Sequence, residues 1–153
     1  MHERCLLAVQ TGIQSLDLRG LLSASVVVQE LPWARDFLGA NPKHALPGVI
    51  VSPWGSEQMD ASQGTNLKDD VEYPVCISIV AANDQRLTAH LGRYLLWRQC
   101  MSRAFRNQPL SGVDEVLTCL VEPGQVVLPD AFLRGLYHSA LLLRFVSRES
   151  RGT

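Results

Sequence analysis

The chain has 153 residues, of which 46 % are hydrophobic and 19 % charged, with 14 Lys and Arg set against 15 Asp and Glu. That length supports one domain with its own core and is too short for two, so a single domain over 1–153 is expected, with 149–153 as a flexible end. A formal charge of −1 and so modest a charge content exclude a duplex-binding basic stripe and a disordered acidic tail.

Residues 3–18 set Leu6, Val9, Ile13 and Leu16 at helical spacing, which predicts an amphipathic helix ending near Gly20 and covering a sheet, with Gly12 its weak point. Ser25–Leu31 is a β-branched run and reads as the first strand, stopped by Pro32. From Trp33 to Pro47 the pattern is irregular, with a helical turn at Trp33–Leu38 and breakers at Gly39, Pro42 and Pro47, so a packed connection is expected. Gly48–Ser52 is the second strand, closed by Pro53, and Tyr73–Ala81 the third, with Val75, Ile77 and Ile79 on one face.

Between these strands, Trp54–Glu72 is polar and lacks hydrophobic periodicity, which predicts a long loop. It carries Glu57, Asp60, Asp69, Asp70 and Glu72 against Lys68, a locally negative segment in a near-neutral chain. Its simplest reading is a solvated tip.

Asn83 or Asp84 can cap a helix from about Gln85 to Phe105, whose core face collects Leu87, Leu91, Tyr94, Leu95, Met101 and Phe105. Arg98 falls in that apolar sector, where an arginine snorkels to solvent, pairs with a buried carboxylate, or meets another subunit. Arg86, Arg93, Arg103 and Arg106 line the flank and far side, and Leu96 and Cys100 among them leave a small apolar seam of the kind partners cover. After a turn at Asn107–Gly112, Val113–Glu122 reads as a strand ended by Pro123-Gly124, and Pro129–Phe132 as a brief helical segment. Tyr137–Arg148 closes the chain as a strand, with Tyr137, Leu141, Leu143 and Phe145 facing one way and His138, Arg144 and Arg148 the other. Hairpin-like joins without regular strand–helix alternation predict an α+β fold. Its mostly antiparallel sheet of about five strands carries the N-terminal helix and the long central helix on one face.

Reactive chemistry finds no anchor. His2, His44, His90 and His138 are scattered, with no pair at helical metal-site spacing, and Cys5, Cys76, Cys100 and Cys119 form no C-x-x-C pair. The cysteines read as small buried hydrophobes in a reducing compartment. His138 and Ser139 are strand neighbours pointing to opposite faces, so they make no nucleophile–base pair, and His90 lies almost three turns from Cys100. Gly-rich phosphate loops and the nucleophile elbow are absent from the sequence, Pro129-Asp130 lacks the companions of a nuclease magnesium site, and the acids at 57–72 miss calcium-loop spacing. No catalytic, cofactor or metal residues are therefore expected. Cys5–Val9 is too short for a signal-peptide core and no run reaches membrane-spanning length, so a soluble chain made in a cytoplasm, without membrane contact, is expected.

Several blocks together resemble the tail-terminator (tail-completion) proteins of long-tailed bacteriophages and related neck proteins. They are Leu46–Pro53, Asp69–Val80, Leu95–Arg98 with Arg103–Phe105, and Val121–Gly124 leading to Ser139–Phe145, within residues 20–149. The resemblance implies a small α+β virion protein without catalysis. Such proteins assemble as a ring, expected to be a hexamer, at the head-proximal end of the tail, where the ring ends tube growth and joins the tail to the neck. Its partners would be copies of itself, the tail-tube protein and a neck or head-completion protein, with DNA passing through the lumen unbound. In that setting Glu57, Asp60, Lys68, Asp69, Asp70 and Glu72 would line the lumen or an inter-ring contact. Arg93, Leu96, Arg98, Cys100 and Arg103 would form a subunit interface, since a closed ring joins two different patches. A head-closure or neck adaptor ring, and a small enzyme, are the alternatives.

Overall fold

The computed structural model describes residues 1–29, 45–55, 57–65, 68–133 and 135–150, with the backbone alone at 59–65, 132 and 133. Its elements in chain order are α1 (His2–Ser15), β1 (Val26–Val28), β2 (Gly48–Pro53), β3 (Gln58–Thr65), β4 (Lys68–Ala82), α2 (Leu87–Phe105), β5 (Val116–Glu122), α3 (Pro129–Leu133) and β6 (Leu136–Ser150). The expected helical turn at 33–38 and Glu30–Leu31 of the first strand lie outside the described residues.

The sheet runs β1-β2-β4-β6-β5, with β3 beside β4 off that path. Only the β1–β2 pair is parallel, so the expected α+β fold with a mostly antiparallel sheet is what forms. At its centre, β4 and β6 pair without a break from Lys68↔Ser150 to Ala82↔Leu136. The β-branched runs place Val49, Val51, Val75, Ile77 and Ile79 on the face beneath the helices, joined from β6 by Tyr137, Leu141, Leu143 and Phe145. α1 packs over β1, β2 and β4, and α2 over β4, β5 and β6.

α1 buries Cys5, Val9 and Ile13, with Leu6 and Leu16 at the rim of the same core. Gly12 has a packing reason: a Cβ there would stand 3.1 Å from the Phe105 ring, so the missing side chain lets α1 approach α2. On α2 the buried face is Tyr94, Trp97, Arg98, Met101 and Phe105. Leu95, expected in the core, is 40 % exposed, whereas Trp97 is buried and donates its indole N–H to the Arg19 carbonyl at 3.0 Å. The helix turns about 100° per residue, which puts Leu95 at the margin of the sector and Trp97 inside it. Tyr94 stacks on Tyr137 at 5.7 Å, and Phe105 meets Phe145 edge-on at 6.3 Å. Each such large side chain, withdrawn from water, contributes about 1.5–3 kcal/mol. Asp84 accepts the Arg86 N–H at 2.8 Å and so closes the turn into α2.

On the opposite face of the sheet a smaller cluster of Ile50, Val80 and Leu136 is packed by Val27, Leu46 and Ala131 of α3. Two expectations need correction. Residues 54–72 are not a long loop: β3 and the start of β4 form a hairpin whose second strand is also paired to β6. Their polar composition carries no alternation to read, and the ladder with β6 imposes the strand. Nor are Glu149 and Ser150 a loose end, because both continue β6, and Glu149 accepts the Tyr73 hydroxyl at 2.6 Å.

Candidate assembly surfaces

The two groups of residues singled out in the sequence lie on different parts of the fold. Those on α2 divide. Leu96, Arg98 and Arg103 line a groove of about 700 Å³ between α2 and the Pro123–Leu141 region, while Arg93 and Cys100 are not among its lining residues. The Arg93 guanidinium lies against Gly20, where a Cβ would come within 2.7 Å of it. Leu95, Gln99, Ser102 and Arg106 complete the helix side of the groove, so three arginines line it with no carboxylate among its lining residues.

Arg98 neither snorkels to solvent nor pairs with a carboxylate. It is 9 % exposed and donates to Ser139 Oγ at 3.0 Å, to the Gly124 carbonyl at 2.8 Å and to the Ala140 carbonyl. The backbone explains this arrangement. Beyond Glu122↔Leu142 the β5–β6 ladder breaks at Pro123, which has no N–H, and Ala140 N–H bonds instead to Gln125. The Gly124 and Ala140 carbonyls are left for the guanidinium, whose planar fork suits two acceptors. A Cβ on Gly124 would lie 2.7 Å from the Ala140 oxygen, so only glycine permits this approach. Burial lowers the Arg98 pKa from its ordinary value, and the group remains a cation with neutral partners.

The acidic residues are largely paired within the chain. Asp70 receives a bidentate contact from Arg148 at 2.7 and 2.9 Å, which holds its carboxyl below the usual range. Glu72 lies 3.5 Å from Arg144, which also reaches Glu122 at 2.8 Å, giving a cross-strand triad over β4, β6 and β5. Glu57 bonds to the His2 ring at 3.1 Å. Lys68 is exposed and Asp69 half-buried at the start of β4, and Asp60 pairs with Asp70 in the β3–β4 register, its side chain outside the described residues.

Three of the four thiols sit in settings that suppress reactivity. Burial pushes the thiols of Cys5 and Cys119 up to about 11 and about 12 and raises that of Cys76, so none is a thiolate near neutrality. Burial also depresses His138 to about 4 and leaves its Nε2 without a hydrogen-bond partner. Among the described residues, no cluster of three His, Cys, Asp or Glu could hold a metal ion, and no helix is long and apolar enough to cross a membrane.

No protein-family model matches the chain, and no curated protein matches it in sequence. A solved structure does share the fold. A chain of the virion of a native gene transfer agent particle superposes with a TM-score of 0.52 at 14 % identity, over 94 % of each chain.

Proposed function

We propose that this chain is a structural component of a phage-like particle. In this reading it forms a ring at the head-proximal end of the tail, which ends tube growth and joins tail to neck. The observation that carries this reading is the fold shared end to end with a chain of a gene transfer agent virion, 94 % of each chain aligned. A feature of the surface agrees with it. The groove on α2 pairs exposed leucines with arginines that have no carboxylate beside them, a composition suited to a protein partner.

In the ring the α2 groove serves as a subunit contact, and the β3–β4 hairpin with Glu57–Glu72 faces the lumen or the adjoining ring. The Arg144 and Arg148 pairs neutralise much of that acidity, so the hairpin offers DNA a surface that neither binds nor strongly repels it.

The test is deletion of the gene in a particle-producing host, followed by electron microscopy and mass spectrometry of purified particles. The expected outcome is tails of uncontrolled length detached from heads, restored by the wild-type gene. Normal tails on a deletion strain would sink the proposal, and correct tail length with loss of head joining would favour a neck adaptor instead.

A further inference from the structure

The surface carries a second apolar feature besides the groove. Trp54, 44 % exposed, follows β2 where the chain steps toward β3 through Gly55 (φ 62°), and Glu57, three residues on, is exposed while bonded to the His2 ring at 3.1 Å. At this exposure the indole forfeits part of the burial that would stabilise it, and a partner that covered it would restore that. This feature also matches the groove in kind: an aromatic and an anion on one side, leucines and arginines on the other.

Trp54 is not among the residues that line the groove. Trp54 belongs to the β2 side of the sheet and the groove to the β5 side, separated in the order β2-β4-β6-β5 by three steps of about 4.8 Å each. Among the described residues, the edge strand β1 pairs with Val49–Val51. At the groove, Leu96 is 56 % exposed, and Arg103 and Arg106 have no ion pair among the described residues. Arg98 spends three of its five N–H donors on the cradle, leaving two without a partner among the described residues.

From this we infer that the groove receives Trp54 and Glu57 of a second copy of the chain. The indole lies against Leu95, Leu96 and Pro123, and the carboxylate meets the Arg103–Arg106 side. The contact is heterologous, with donor and acceptor patches at opposite sides of the sheet, so each copy engages two neighbours and repetition closes a ring or extends a filament. Tryptophan and arginine are the residues that most often dominate such contacts. The inference rests on the assembly role proposed above and names the two surfaces that meet.

Solution mass by light scattering, with circular dichroism as a folding control, tests it on the full chain. Wild type is expected to form species larger than a dimer as concentration rises, and Trp54→Ala and Leu96→Glu each to remain monomeric. Mixing those two variants should restore one intact contact and give a 1:1 dimer. Arg103→Glu should lose assembly, and Arg103→Glu combined with Glu57→Arg should regain it. Oxidation of a Trp54→Cys, Leu96→Cys double variant should produce a ladder of covalent multimers. Single variants that assemble like wild type would overturn the contact, as would a mixture that stays monomeric. So would a wild-type chain that is monomeric at every concentration together with a double variant that gives no ladder. The two proposals fail separately: loss of self-association in the variants with normal tails in the deletion strain removes only the tail role. Aberrant deletion tails rescued by Trp54→Ala remove only this contact.

Discussion

Truncating Arg98 to alanine isolates the cradle that closes the broken end of the β5–β6 ladder. The change leaves three acceptors, the buried Ser139 Oγ and the half-buried Gly124 and Ala140 carbonyls, without their donor. Each acceptor left unsatisfied costs about 1–3 kcal/mol, and the neighbouring groove lets water reach some of them, so a total of about 2–4 kcal/mol is expected. Release from burying a charge offsets part of that, which is why the sum falls below three full penalties. Lysine keeps the charge but cannot span both carbonyls as a fork, so Arg98→Lys should lose about half as much. Equilibrium urea unfolding measures both, read as a shift in midpoint at constant slope. Because the partners are neutral, the decrement should be the same at pH 5 and pH 8. A loss below about 1 kcal/mol would refute the reasoning. So would a decrement that shrinks in acid, since it would reveal a titrating partner.

Three further outcomes follow from named side chains. His138 is held neutral by burial, near 4 against an ordinary 6.5, so the unfolded chain takes up a proton first as pH falls. Its contribution is therefore complete above pH 6.5 and lost between 6.5 and 4, by up to about 3 kcal/mol, and His138→Phe should flatten that slope in unfolding measured against pH. Gly124→Ala drives a Cβ into the Ala140 oxygen, and the resulting strain of about 1–3 kcal/mol outweighs the 0.4–1 kcal/mol, roughly, gained by restricting the unfolded chain, so the thermal midpoint should fall. Cys100, half-buried, should be the one described thiol to react promptly with a disulfide reagent in the folded protein, and Cys100→Ser should remove the fast phase; fast labelling in that variant would contradict the burial of Cys5, Cys76 and Cys119.

What the sequence made legible was whatever a local pattern encodes. The run at Gly48–Pro53, the alternation after Tyr137 and the helical spacing of α2 each carry their own periodicity and formed where expected, while of the strand expected at Ser25–Leu31 the described part is Val26–Val28. The hairpin did not announce itself, because the residues of β3 have few apolar side chains to alternate and their pairing is supplied by β4. Arg98 was visible as an anomaly, but its resolution was not. Its acceptors lie 26, 41 and 42 residues away, and two of them are main-chain carbonyls that no side-chain pattern reports. Trp97 was missed for a similar reason, since the acceptor that lets its indole N–H be buried is the Arg19 carbonyl, 78 residues away. As for the surfaces, the leucine–arginine seam on α2 could be read from a helical wheel. The tryptophan on the other side could not be paired with it until the strand order was known.

The unbroken β4–β6 ladder has a mechanical meaning. Two strands of 15 residues extend about 50 Å, and a tension applied along them loads their hydrogen bonds in shear, all at once, instead of peeling them one at a time. The direction of load relative to this beam decides whether the domain resists as a strut or yields as a zipper.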